Sequence, residues 1–201
     1  PDRPAGRVCH LPAAGERTET APGAAPSEAI SVRVYPALVP RTHPLASVHG
    51  ANNAVFVEAE AAGSLMFYGA GAGGVQTASA VLGDVVSAAR HHIAGGVGVG
   101  ESTRANLPIL PIGRVTTRYQ ITLEVSDETG VLDTVAGILS EGRVSIATVE
   151  QTVVGDPDGG PGISRIVIST HKALKQDLSA TVARLSASHV VERVSSLRLA
   201  E

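Results

Sequence analysis

Between Arg118 and Leu199 six apolar segments follow one another, each with a clear period. Tyr119, Ile121, Leu123 and Val125 alternate with Gln120, Thr122 and Glu124, which is the two-residue period of a strand with one buried face. Beyond Asp127-Glu128-Thr129-Gly130, the residues Val131, Leu132, Val135, Ile138 and Leu139 recur at helical spacing. VSIATVEQTVV and Ile163–Thr170 read as two further strands, joined by GDPDGGPG as a hairpin loop. Leu174, Leu178, Val182 and Leu185 mark a second helix, and VVERVSSLRL closes as a fourth strand. The order is βαββαβ with short connections. A segment of this kind must lay both helical stripes on its own sheet. The predicted class is therefore α+β, with a ferredoxin-like sandwich over residues 118–201.

The region upstream has a different texture. Residues 1–29 are rich in Pro, Ala and Gly with little apolar periodicity, so a disordered or low-complexity start is expected. Ordered structure is expected from residue 30, where Ile30, Val32 and Val34 alternate with Ser31 and Arg33. Pro36, Pro40 and Pro44 then break the chain into extended pieces and turns. NAVFVEAEAAGSLMFYG predicts a β-hairpin turning at Ala61-Ala62-Gly63. Ala78, Val81, Leu82, Val85 and Ala89 then define one face of a helix reaching about Arg90. Residues 30–93 thus form a partial mixed-sheet domain, and the glycine-rich, then polar stretch at 94–117 reads as a linker.

Hairpin and helix are joined by Gly69-Ala70-Gly71-Ala72-Gly73-Gly74, which spells GxGxxG. A dinucleotide-binding fingerprint opens a βαβ unit and needs an acid roughly 20 positions on, to hold the ribose. Residues 94–100 offer neither strand nor acid, so the spelling matches and the context fails. Two readings stay open. The glycines can make a plain strand-to-helix turn, or they can let a phosphate approach a helix N-terminus, where free N–H groups and a partial positive charge favour anions.

Other chemistry is thinly represented. The net charge is −3 and no basic block stands out, which argues against nucleic-acid or anionic-membrane partners. No apolar run approaches the ~18 residues of a membrane span. The single cysteine, Cys9, excludes an internal disulfide and fits a reducing compartment; with no secretory signal pattern, a cytoplasmic location is expected. The only lysines are Lys172 and Lys175, so no lysine in the first 171 residues can serve a reaction. Of seven histidines only His91-His92 adjoin, without a third ligand at metal-binding spacing, and no metal is expected. His43 and His49 flank a proline turn and read as structural. Ser64 and Ser79 lack a base in a recognisable order, and Glu58 and Glu60 read as a solvated hairpin face. No catalytic residue is assigned.

Two stretches carry a resemblance. Pro44-Leu45-Ala46, Gly50, Asn53-Ala54-Val55, the bend at Gly69 to Gly73, and Thr77-Ala78-Ser79-Ala80-Val81 with Asp84 resemble the C-terminal part of the catalytic region of homoserine dehydrogenases. LEVSDETGVLDTVAGILSEGRVSIATVEQ resembles an ACT domain, the regulatory module that often follows that region in bacteria. The resemblance covers about residues 29–200, and the family usually has proline where this chain has Ala70 and Gln76. An ACT domain from an aspartate kinase fits less well, because it would leave the Gly69 segment unexplained.

The resemblance implies a nicotinamide-dependent oxidoreductase of threonine and methionine biosynthesis, interconverting L-homoserine and L-aspartate 4-semialdehyde. It implies that Gly69, Ala70 and Gly71 line NAD(P) rather than form its main pyrophosphate cradle. It further implies an amino-acid effector at Asp127, Thr129 and Gly130, and a homodimer through the ACT domain. By sequence reasoning, Asp127 or Thr129 is also expected to cap the helix that follows. The family's principal glycine loop, substrate-holding acids and proton-handling lysine find no match here. A truncated or mis-started chain, inactive alone and holding NAD(P) weakly, is expected. The alternative is a non-catalytic amino-acid-binding or dimerisation module acting through the ACT domain.

Overall fold

A computed structural model describes residues 6–19, 28–96, 106–154 and 162–200. The predicted GDPDGGPG loop, except Gly162, and the central part of the 94–117 linker lie outside the described residues, as do parts of the 1–29 start. The fold is mixed α+β and divides into two compact units: Pro1–Pro40 with Leu107–Glu201, and Arg41–Asn106.

In chain order the first unit begins with β1 (Arg7–His10), β2 (Ala13–Glu19), β3 (Glu28–Val34) and β4 (Ala37–Pro40). The second unit holds a 3-10 turn (Pro44–Ser47), then β5 (Asn52–Ala59), β6 (Gly63–Ala70) and α1 (Gly74–Ile93). The chain re-enters the first unit with a 3-10 turn (Ile112–Arg114) and β7 (Thr116–Ser126), followed by α2 (Val131–Glu141), β8 (Ile146–Val154) and β9 (Ile163–Thr170). It ends with β10 (Ala173–Leu174), α3 (Lys175–Ser186) and β11 (Val191–Leu199).

Residues 7–19 correct an expectation. Composition pointed to an unformed start, yet β1 pairs antiparallel with β4, and β2 pairs antiparallel with β3 from Ala13↔Val34 to Glu19↔Glu28. The physical reason is pairing: partners 27 to 33 residues downstream for β1, and 9 to 21 for β2, satisfy backbone groups that local composition leaves without a partner. A second difference concerns β3. Its apolar alternation predicted Val32 and Val34 inward, but they are 59% and 67% exposed, while Ala29 and Ser31 are buried. Pairing with β2 and the inward hydrogen bonds of Arg33 to Tyr35 and Ser31 set that register instead.

The main sheet runs β1-β4-β11-β7-β9-β8, with β10 on β7. It is mixed, because β4 lies parallel to β11 while the remaining pairs are antiparallel. Its core is the one the periodicity marked. Ile121, Leu123, Val125, Ile166 and Ile168 point from the sheet, and Val131, Val135, Leu139, Leu178 and Leu185 meet them from α2 and α3, all nearly or wholly buried. The helices approach closely where a side chain would obstruct them: a Cβ at Gly142 would overlap the Thr181 hydroxyl, which donates to the Asp177 carbonyl at 2.7 Å. Helix α2 therefore ends with Gly142 at φ −75°, and the left-handed residue is Arg143 at φ 58°.

The second unit has almost no interior. The hairpin β5–β6 forms as expected, from Asn52↔Ala70 to Ala59↔Gly63, and α1 runs one turn past the predicted Arg90. Among its described residues only Ala46 is a buried apolar residue. The predicted apolar face of α1 is open, with Val81, Leu82 and Val85 each 55 to 62% exposed. No helix among the described residues is long and apolar enough to cross a membrane.

Candidate functional site

The glycine bend is built by the hairpin. Its register sets Asn53 opposite Gly69 and Asn52 opposite Ala70, and beyond the ladder the Gly71 N–H donates to the Ala51 carbonyl at 2.9 Å. This folds the chain back so closely that a Cβ at Gly71 would overlap the Asn53 side-chain amide. At Gly73 the backbone takes φ 134°, a conformation that L side chains rarely adopt, and it leads directly into α1. Gly69 and Gly74 are different: a Cβ at either would meet nothing within 4 Å. The bend thus holds two glycines that the turn itself requires and two that leave space open.

Helix α1 begins without a side-chain cap, because its N-cap is Gly73, and its first turn carries no acid. The first intrahelical bond runs from the Thr77 N–H to the Gly73 carbonyl at 3.0 Å. The N–H groups of Gly74, Val75 and Gln76 therefore have no partner within the helix. Twenty residues of aligned peptide dipoles place a partial positive charge at this end. Arg90, His91 and His92 lie in the last turn, where cations complement the opposite partial charge. An uncapped helix start, glycine-lined and acid-free, suits an anionic group. Of the three predicted cofactor-lining residues, Gly69 and Ala70 end β6 and Gly71 follows it, all exposed.

His43 is structural, as expected. Its Nδ1 accepts a hydrogen bond from the Leu45 N–H at 3.1 Å, and its ring stands edge-on to Phe56 at 4.7 Å. Glu58 and Glu60 are exposed.

The junction between β7 and α2 corrects another expectation. Neither Asp127 nor Thr129 caps α2: the N-cap is Gly130, left-handed at φ 89° and without a side-chain hydrogen bond. Asp127 is engaged elsewhere. Its Oδ1 accepts from the Ser164 hydroxyl at 2.8 Å and its N–H donates to the Gly162 carbonyl at 2.9 Å. Sheet register decides this, because Val125 lies opposite Ser164 and Ser126 opposite Ile163, which brings the start of β9 beside residue 127. The N-terminus of α2 is left open, with Asp127 beside it rather than on it. Among the described residues no group of three His, Cys, Asp or Glu side chains could hold a metal ion.

Comparison with known proteins points one way. The homoserine dehydrogenase family model matches residues 6–86, and so takes in β1 and β2, which the sequence reading had set outside the resemblance. The homoserine dehydrogenase of Corynebacterium glutamicum is 53% identical over 169 residues, covering 84% of this chain and 37% of that protein. The Mycobacterium tuberculosis homoserine dehydrogenase is 53% identical over 171 residues, covering 85% of this chain and 39% of its own. Among solved structures, a homoserine dehydrogenase from Thiobacillus denitrificans superposes with a TM-score of 0.80 at 32% identity, over 98% of this chain and 43% of that one. The chain spans about two-fifths of the length of the curated relatives it matches. Two unrelated motif sets in one order, a glycine bend on a hairpin and a fold shared over nearly the whole chain all agree: the chain belongs to the homoserine dehydrogenase family.

Proposed function

We propose that this chain carries part of an NAD(P)-dependent oxidoreductase that interconverts L-homoserine and L-aspartate 4-semialdehyde, a step of threonine and methionine biosynthesis. One observation carries the reading: an open glycine bend leads into an uncapped, acid-free helix start. Gly69, Ala70 and Gly71 line the nucleotide there, and the N-terminus of α1 favours its phosphates. The chain assigns no catalytic residue of its own, and its lysines begin at Lys172. These 201 residues alone turn over no homoserine and hold NAD(P) weakly. The open apolar face of α1 is where the remainder of such an enzyme packs. One cysteine in the whole sequence favours a cytoplasmic setting.

A chimera tests this reading. The matched segment of the Corynebacterium glutamicum enzyme is replaced by the corresponding residues of this chain. The folded chimera is expected to oxidise homoserine with NADP. Gly69→Asp, which adds a negative charge beside the bend, is expected to raise the nucleotide KM by about tenfold or more and leave the homoserine KM nearly unchanged. A folded but inactive chimera, or an unmoved nucleotide KM, refutes the assignment.

Residues 118–201 we read as a ferredoxin-like ACT domain. The element order β7-α2-β8-β9-α3-β11 and the strand order β11-β7-β9-β8 support it. Asp127, Thr129 and Gly130 border the open start of α2, which suits an amino-acid carboxylate. Strand β4 occupies the β11 edge, so β8 is the edge offered to a second chain. Calorimetric titration with threonine should give saturable heat that Thr129→Val removes; no heat with threonine or related amino acids leaves the dimerisation role alone.

A further inference from the structure

The first unit contains a cleft of about 560 Å³ that the glycine bend and the β7–α2 junction do not explain. It is lined by residues of β3, β7 and β11, by Ile112 of the 3-10 turn at Ile112–Arg114, and by Lys175, the first residue of α3. The wall residues Val32, Val34, Ile112 and Leu197 are apolar, and the charged groups are Arg33, Lys175 and Arg198.

Arg198 is the anomaly. It is only 5% exposed, yet no carboxylate among the described residues forms an ion pair with it. Its Nε donates to the Thr117 hydroxyl, its guanidinium lies 4.1 Å from the centre of the Tyr35 ring, and its Nη2 has no hydrogen-bond partner. Leaving a buried charged donor unmet is costly, because its lost hydration is not replaced. Glu16 acts on Arg198 electrostatically, but its carboxylate is ion-paired with Arg33 at 2.6 Å. Burial pushes the Arg198 pKa down and the neighbouring Arg33 adds to it, while Tyr35, Tyr119 and Glu16 oppose it. One further feature favours negative charge at the same place: Lys175 adds a second cation to the lining. The start of α3 adds little, because the Lys175 N–H donates to the Val115 carbonyl at 2.9 Å and Asp177 lies in the first turn. A cation this well shielded, in a cleft with apolar walls, has the chemistry of a site waiting for an oxyanion.

We propose that this cleft binds a small molecule bearing an oxyanion, carboxylate or phosphate, on a short apolar body, with Arg198 as its principal anchor and Lys175 as its second cation. The inference does not depend on the glycine bend or on the ACT reading.

The test uses the full 201-residue chain with two probes, inorganic phosphate and butyrate, each against sodium chloride at equal ionic strength. Nε–Hε correlation spectra follow Arg198 directly, with its signal assigned by its loss in Arg198→Lys. At least one probe is expected to shift that signal saturably, with a dissociation constant in the millimolar range or tighter. Arg198→Met should weaken binding by about tenfold or more, and Lys175→Met by a fewfold. A response to phosphate alone identifies a phosphorylated ligand, and one to butyrate alone a carboxylic acid. If Arg198→Met does not fold, the Arg198 signal in the parent and in Lys175→Met decides. A signal unmoved by either probe, or shifted equally by chloride, overturns the proposal, as does a folded Arg198→Met that binds both probes like the parent.

Discussion

Amide hydrogen exchange in the 201-residue chain should separate its two units by orders of magnitude. The slowest amides are expected in β7, β9 and α2, and the amides of β5, β6 and α1 should exchange about a thousandfold faster or more. The argument rests on burial. Strands β7 and β9 and helix α2 place Ile121, Leu123, Val125, Ile166, Ile168 and Leu139 in a core with almost no solvent access. Opening those hydrogen bonds means exposing that core, so they report something near the global stability of about 5–15 kcal/mol. Helix α1 buries no residue, and the hairpin beneath the glycine bend buries none fully. An isolated two-stranded hairpin is marginal in water, and most helical stability in proteins comes from packing an apolar face. Protection across residues 52–93 equal to that of β7 would show that this face is covered in solution, and would sink the expectation.

Leu139→Ala should destabilise the first unit by about 2–5 kcal/mol, a large share of what a domain of this size possesses. Leu139 is fully buried on α2, and its carbonyl accepts the Val144 N–H at 2.9 Å, just where the chain leaves the helix for β8. Truncation leaves a void between helix and sheet that backbone pinned on both sides fills poorly. The void removes dispersion contacts as well as apolar burial. Leu132→Ala on the same helix provides the control. Leu132 is 45% exposed, so its truncation should change stability by about 0.5 kcal/mol or less. Urea unfolding of both variants, monitored by far-ultraviolet circular dichroism, measures the contrast. Equal midpoints for the two would contradict the assignment of the core.

The elements that were legible in advance are those whose signal is local. Strands β7 and β9 and helices α2 and α3 each bury one face, and burial of one face writes a period of two or 3.6 residues into the chain. Tyr119 to Val125 and Val131 to Leu139 therefore located β7 and α2 without coordinates. The β5–β6 hairpin was legible for a related reason, since its turn and both flanking runs lie within 19 consecutive residues. Strands β1 and β2 were not. The partners of β1 lie 27 to 33 residues on, and β2, which pairs with β3 nearby, has no alternating apolar residues, so neither strand writes a period into its own window.

The same division runs through the sites. Glycine spacing alone marked the bend before α1, because backbone that must turn tightly needs residues without a Cβ. Which glycine serves which purpose was not readable: Gly71 yields space to Asn53, which arrives through the hairpin register. Asp127 had the right residue type to cap α2, but the start of β9 places Ser164 within reach and takes the carboxylate. Arg198 gave no signal at all. Between Leu197 and Leu199 it reads as the solvent face of a strand, and its burial exists only because β3, β4 and α3 converge over it. Spacing along the chain thus established the periodic elements and the bend, since both arise from neighbours within a few residues. Caps, buried charges and the ordering of the first strands arise from groups brought together across long separations, and the assembled fold alone supplies them.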